Sequence, residues 1–146
     1  MKIEKDMRVC VSSEITPLDK NGLTAVGEES EKTVVNAAVR FSFDEDAYTL
    51  SYKEKSEGGE IFTDVFFENG TVKVKRSGAI LSEFVFSEGE TNVSVYKIPP
   101  YSFDAEIKTS KIRSFLSEAG GQITVFYTMT IGGDMRAVKM RIEVYP

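Results

Sequence analysis

An arginine and three tyrosines of this chain have side chains that can bind an anion, a glutamate could pair with the arginine, and the hydrophobic pattern places all five on the buried face of a strand. They are Arg76, Glu54, Tyr52, Tyr48 and Tyr127. Arg76 is the most informative, because strand alternation puts it on the same face as Val72 and Val74. A charge on a face that should be buried needs a partner or a purpose.

Two explanations of these five residues are open. In the first, the guanidinium and the phenol hydroxyls bind the carboxylate or phosphate of a small ligand inside an apolar cavity. In the second, Arg76 and Glu54 form a buried ion pair, and tyrosine hydroxyls satisfy the remaining hydrogen bonds. Arg76 serves a ligand in the first case and the fold in the second.

The chain has no histidine and a single cysteine, Cys10, and these counts exclude several chemistries. Ser-His-Asp and Cys-His catalysis need an imidazole, and a structural zinc site needs more His or Cys ligands than the chain has. The sequence contains no phosphate-binding loop of the form GxxxxGK[ST]. The acidic run Asp44-Glu45-Asp46 is better explained as a solvated turn than as a cation site. We therefore expect neither enzymatic activity nor a metal or cofactor.

Charge and cysteine content limit which partners and which cellular compartment suit this chain. The net charge is −5, and no basic stripe is interleaved with aromatic residues, so we expect no binding to nucleic acid. A single cysteine excludes an intramolecular disulfide and fits a reducing compartment. The first residues lack the long apolar run of a signal peptide or a membrane-spanning helix. These features predict a cytoplasmic protein that does not insert into membranes.

The elements that must position the five residues are strands. Hydrophobic residues alternate with polar ones through most of the chain, which predicts about ten strands joined by turns rich in Gly, Asn and Asp. The predicted strands cover 7–15, 32–43, 47–54, 61–68, 71–76, 84–86, 91–98, 103–109, 122–131 and 135–145. Residues 17–30 are predicted to form a loop, and Ser77-Gly78 a turn. This pattern predicts an all-β fold, an antiparallel meander barrel of about eight to ten strands in one domain over 1–146.

Two segments have features beyond simple alternation. In the segment 111–119, Ile112, Phe115 and Leu116 stand at helical spacing, so this segment is predicted to be either a short helix or a continuation of the preceding strand. In the predicted strand 61–68, Phe62 and Phe66 make the outer face partly apolar. Such a face is either covered or an interaction patch.

Several short motifs from Tyr48 onward are similar to those of a known family. They are Leu50-Ser51-Tyr52-Lys53-Glu54, Val74-Lys75-Arg76-Ser77-Gly78-Ala79, Phe86, Gly89, Tyr96, Lys108-Thr109, Gly120-Gly121 and Tyr127. Together they resemble the bacterial YwiB-like family, small cytosolic proteins with a calycin, or lipocalin-like, β-barrel. The chain departs from the family at Tyr101-Ser102, where a glycine tends to follow the aromatic residue. The resemblance implies the barrel fold but no chemistry, because the family has no established activity.

Two functions are compatible with these predictions. The sequence favours a non-enzymatic protein that binds a small apolar or amphipathic anionic ligand inside the barrel. The alternative is an interaction or accessory protein with a filled barrel, which acts through outer residues such as Phe62, Phe66 and Val85. An open cavity beside Arg76 would favour the first function and a packed interior the second. The sequence does not predict the oligomeric state.

Overall fold

The computed structural model describes residues 2–24 and 29–146, and nearly all of these residues lie in strands. The ten strands are β1 (Lys2–Leu18), β2 (Glu31–Asp44), β3 (Ala47–Ser56), β4 (Gly59–Glu68), β5 (Thr71–Gly78), β6 (Ser82–Phe86), β7 (Thr91–Ile98), β8 (Tyr101–Ser117), β9 (Gly120–Ile131) and β10 (Asp134–Tyr145). All pair antiparallel in one sheet, in the order β6-β5-β4-β3-β2-β1-β10-β9-β8-β7. The prediction of an antiparallel meander of about ten strands is confirmed.

The sheet consists of two meanders, β1 to β6 and β7 to β10, which are joined where β1 pairs with β10. It curls until its two edge strands, β6 and β7, approach each other. Within the described residues, a single backbone bridge links these two strands, with hydrogen bonds of 2.9 and 2.8 Å between Leu81 and Lys97. The barrel is therefore nearly closed.

Side chains complete the boundary between β6 and β7, which we call the β6–β7 seam. The Asn92 side-chain amide donates to the carbonyl of Val85, and the Ser94 hydroxyl donates to the carbonyl of Glu83. Each of these bonds satisfies a carbonyl of β6 that would otherwise accept an N–H from a neighbouring strand. Hydrogen bonds thus connect β6 and β7, but the two strands do not form a regular backbone ladder.

The core is formed by the inward-facing side chains of the strands. The largest fully buried ones are Phe41, Phe86, Leu50, Ile107, Ile123 and Ile142. At one end, Tyr48 packs with the rings of Phe41, Phe43 and Phe67, with neighbouring centroids 5.8–6.3 Å apart. Each buried side chain of this size contributes about 1.5–3 kcal/mol to stability.

The helical alternative for the segment after Thr109 is wrong, because β8 continues through it with a bulge. The register against β9 shifts between Thr109 and Lys111, so Ser110 is an extra residue. The extra residue reverses the alternation, and Ile112 and Leu116 point towards the core. Phe115, the third residue of the helical pattern, is 72% exposed on the outer face, so the pattern combines residues from both faces of one strand.

Two predicted boundaries are also corrected. The loop predicted over 17–30 begins later, because Pro17 and Leu18 still pair with β10. Pairing with β2 has already ended at Ile15, so Pro17 lies where β1 has one partner strand and the missing amide hydrogen costs little. Residues 25–28 of that predicted loop lie outside the described residues. The turn predicted at Ser77-Gly78 comes later too, because both residues still pair with β4.

The prediction that Gly120-Gly121 belongs to a hairpin is correct. Gly121 has φ +134°, and a Cβ atom there would overlap the carbonyl of Phe115. A side chain is therefore excluded at this position both by backbone conformation and by space.

Candidate functional site

The barrel encloses a cavity of about 390 Å³. Its wall combines polar side chains with apolar ones, among them Phe84, Met129 and Met140. At the start of β10, the exposed side chains of Asp134 and Arg136 also line it, so the cavity opens to solvent at this end of the barrel. The interior is therefore not filled, although most inward positions carry large side chains.

Arg76 projects into this cavity from β5. Its neighbours in register are Thr63 on β4 and Ser82 on β6. The guanidinium Nε is buried, and no described residue accepts a hydrogen bond from it. Leaving such a donor unsatisfied costs about 1–3 kcal/mol, and more when the group is charged. The predicted inward orientation of Arg76 is confirmed, and its donor is free to bind another molecule.

The residues beside Arg76 form a polar row across four strands. The row runs in register from Tyr52 on β3 through Thr63 and Arg76 to Ser82 on β6. The hydroxyls of Thr63 and Ser82, which are 1% and 7% exposed, also lack a hydrogen-bond partner among the described residues. Three of the four residues in the row, all but Tyr52, thus have a buried polar atom without a partner, which is uncommon in a folded protein.

Tyr52 is the first residue of this row and Glu54 lies two residues further along β3, and neither of them lines the cavity. Burial raises the pKa of Tyr52 above its ordinary value of 10; the Arg76 charge opposes the shift and the Glu54 charge adds to it. The phenol is therefore neutral at physiological pH. The ion pair of the second explanation is not formed, because none of the described salt bridges, which extend to 4.0 Å, joins Arg76 to Glu54.

Tyr127 faces the cavity from β9. Its ring lies 4.6 Å from that of Phe86, and burial raises the pKa of its hydroxyl to about 12, against the opposing charge of Arg76. Tyr127 is therefore a neutral hydrogen-bond donor in the cavity wall. Thr109 is its neighbour in register, and the buried Thr109 hydroxyl likewise has no partner among the described residues.

Tyr48 does not belong to this site. It lies four residues before Tyr52 on β3, which separates the two by about 13 Å along the strand. Its ring stacks on Phe41 with centroids 6.0 Å apart, and its hydroxyl donates to the carbonyl of Leu116 over 3.4 Å. Tyr48 therefore has a structural role at the packed end of the barrel.

Three residues of the candidate site, Thr63, Ser82 and Tyr96, were not predicted from the sequence to have a role in it. Alternation placed Thr63 on the inward face, but a threonine in a strand is too common to indicate a site. Tyr96 lines the cavity and stacks on Phe84 across the β6–β7 seam, with centroids 6.0 Å apart. Tyr96 reaches the cavity because the two edge strands, β6 and β7, lie side by side, and a pattern within one strand does not predict that neighbourhood.

Comparison with known proteins adds the family. The sequence profile of a domain of unknown function, DUF1934, matches residues 20–143. The chain belongs to the DUF1934 family. This family member is 33% identical over 85 residues to the uncharacterized beta-barrel protein YwiB of Bacillus subtilis (strain 168). That match covers 58% of the chain and 60% of YwiB, so the chain matches about three-fifths of the length of this curated relative.

The structure of this DUF1934 member is also similar to the crystal structure of the ywiB protein from Bacillus subtilis. The TM-score is 0.76 at 24% sequence identity, over 97% of this chain and 94% of that one. The shared fold and the resemblance to the YwiB-like family are thus confirmed. No helix in the described part of the chain has the length and apolar character needed to cross a bilayer.

Proposed function

We propose that this protein binds a small amphipathic anion inside its barrel and carries out no catalysis. The observation that carries the proposal is the unpartnered Nε of Arg76 at the wall of a 390 Å³ cavity. This volume falls within the range of roughly 300–1,000 Å³ that is typical of small-molecule sites. The lone, half-buried Cys10 supports a reducing, cytoplasmic location, which is part of the same proposal.

The lining supplies the two kinds of contact that an amphipathic anion needs. The Arg76 guanidinium makes charge-assisted hydrogen bonds to the anionic group, and the neutral Tyr127 hydroxyl donates a further one. Phe84, Met129 and Met140 cover an alkyl chain, which gains about 0.8 kcal/mol for each buried methylene. The lining contains one carboxylate, that of Asp134, so it offers no pair of acids for acid–base catalysis.

Calorimetric titration with octanoate and octyl phosphate tests this proposal. We expect one site per chain, and we expect Arg76→Gln to weaken binding at least about tenfold, because a charge-assisted bond is lost. Arg113→Gln is the matched control, since Arg113 lies on the outer face over the ring of Phe126, and its affinity should not change. The proposal fails if the wild-type protein binds neither amphiphile.

A second candidate is an interaction protein that acts through its outer surface. Phe62 and Phe66 on β4 are 47% and 39% exposed, and the Lys73 amine lies 5.9 Å from the centroid of the Phe66 ring. Val85 on β6 is half-buried. Substitution of both phenylalanines by serine should leave amphiphile binding unchanged and remove any association that uses this face, which analytical ultracentrifugation of a mixture with a partner would detect.

A further inference from the structure

A groove of about 500 Å³ runs along the outer side of the β6–β7 seam. Arg76 lines both this groove and the interior cavity. An inward-facing side chain can be reached from outside only where the wall is incomplete, and the β6–β7 seam has a single backbone bridge among the described residues. Arg76 therefore lies in the part of the wall that separates the cavity from the groove, and its Nε is buried there.

The groove carries an excess of positive charge. Its lining includes Lys75, Lys97 and Arg76, and its one carboxylate is that of Glu83. The Lys73 amine lies 2.7 Å from this carboxylate and neutralises it from outside the groove. Three cations thus face the groove without a free acid among its lining residues.

Two residues that line the groove, Arg76 and Ser82, each have a buried donor without a partner among the described residues. Ser82 is paired in register with Arg76, and its buried hydroxyl lines the groove without a hydrogen-bond partner in the described structure. The Arg76 Nε is unpartnered as well. Residues opposite each other on antiparallel strands lie about 4.5–5.5 Å apart, so both donors can reach one tetrahedral group.

We infer that the β6–β7 seam binds the headgroup of a phosphate monoester whose apolar tail lies in the cavity. A phosphate monoester carries a charge of about −1.5 to −2 at neutral pH and three acceptor oxygens, which match the three cations, Arg76 included, and the unpaired hydroxyl of Ser82. A carboxylate has one charge and two oxygens and leaves part of this set unused.

We infer an apolar tail because apolar residues lie on both sides of the expected headgroup position. Leu81 and Val95 are exposed in the groove, and Phe84 and Tyr96 stack across the seam on the cavity side. Free inorganic phosphate would use none of these surfaces. The inference rests on the proposed function, because the tail occupies the same cavity.

Titration of the whole chain with three probes near neutral pH tests the inference: octyl phosphate, octanoate and inorganic phosphate. We expect octyl phosphate to bind at least about tenfold more tightly than octanoate, and inorganic phosphate to bind more weakly than octyl phosphate by about a hundredfold or more. Equal affinity for the two octyl compounds would overturn the phosphate assignment while the proposed function stands. Inorganic phosphate that binds as tightly as octyl phosphate would overturn the role of the tail.

Substitutions locate the headgroup. The double variant Lys75→Gln, Lys97→Gln should weaken the binding of octyl phosphate about tenfold and that of octanoate less than about threefold. The reason is that the variant removes the two lysines that pair with the second negative charge of the phosphate. Lys53→Gln with Lys55→Gln removes two exposed lysines of β3 and is the control for net charge. Equal losses for both ligands in the seam variant, or an equal effect in the control, would overturn the site. If wild-type protein binds no octyl compound, the proposed function itself has failed.

Discussion

The Arg76 guanidinium lies in the barrel wall without a salt bridge to Glu54, so the two side chains should act independently on stability. We expect Arg76→Gln and Glu54→Gln to show a coupling energy below about 0.5 kcal/mol in a double-mutant cycle. Breaking a buried ion pair would cost about 3–5 kcal/mol instead. Urea denaturation of the two single variants and the double variant measures this. A coupling above about 1 kcal/mol would restore the ion-pair explanation.

The Tyr127 hydroxyl should make stability depend on pH in the alkaline range. The unfolded chain releases this proton near pH 10, whereas burial holds the pKa in the folded state at about 12. The contribution is therefore complete below pH 10 and is lost as the pH rises towards 12, by about 2–3 kcal/mol.

Equilibrium unfolding at a series of alkaline pH values checks this slope. Tyr127→Phe should flatten it, and Tyr145→Phe, which changes an exposed tyrosine, should not. Some slope should remain in the Tyr127 variant, because burial also raises the pKa of Tyr52. An unchanged slope in Tyr127→Phe would contradict the assignment.

At this scale the sequence located part of the site. Alternation is a property of each strand alone, so it correctly directed Arg76, Tyr127 and Tyr52 inward. It could not distinguish the two ends of the barrel, and so it grouped Tyr48 with residues about 13 Å away. It could not identify Ser82 either, because this serine stands out only through its buried hydroxyl having no hydrogen-bond partner among the described residues, which depends on the folded structure.

The β8 bulge shows how a single residue determines the packing of an element. Deletion of Ser110 would restore uninterrupted alternation and turn Ile112 and Leu116 outward. Each lost burial costs about 1.5–3 kcal/mol, so we expect the deletion to remove most of the stability of the domain. Thermal unfolding followed by circular dichroism measures the loss.

Ser110→Ala is the control for this deletion. It keeps the register and loses only the bond from the Ser110 hydroxyl to the carbonyl of Phe126, which is 3.0 Å long. The expected cost is at most about 0.5–1.5 kcal/mol. A deletion variant as stable as Ser110→Ala would show that the stability of the domain does not depend on which side chains of β8 face the core.

Most strands were predictable because each has a polar and an apolar face and ends at a recognisable turn. Asn69-Gly70 and Gly132-Gly133 mark two such turns, and both lie between consecutive strands of the structure. The exception was β8 after Thr109, where the bulge changes the period that the prediction uses. A bulge depends on pairing with the neighbouring strand, so a pattern within one segment does not reveal it.

For the whole molecule, the distribution of charge bears on its partners. The net charge is −5, and we expect no shift of single-stranded RNA in a gel at physiological salt. The fold does bring Arg113 and Lys139 to within 5.8 and 5.7 Å of the Phe126 ring on the outer face, a juxtaposition that the sequence conceals. Cations beside an aromatic ring are what single-strand binders use, so any binding would be expected at Phe126, but the net negative charge of the chain disfavours it.

A salt-sensitive shift at micromolar protein would contradict this expectation. The double variant Arg113→Glu, Lys139→Glu would then show whether the outer face is responsible, because it reverses the two charges beside Phe126 without touching the cavity. Arg76→Gln would serve as the companion control from the interior.

The β6–β7 seam, where the two edge strands of the sheet meet, falls in the middle of the chain. The first and last strands, β1 and β10, are paired neighbours. A circular permutant that links residue 146 to residue 2 and begins within the turn before β7 would run from β7 to β10 and then from β1 to β6. Arg8 pairs with Tyr145, so the linker must span about 20 Å, which roughly ten flexible residues can do. Every ladder would then join strands that are consecutive in sequence, which lowers the contact order. We expect the permutant to reach the same sheet and to refold faster than the parent chain in stopped-flow experiments.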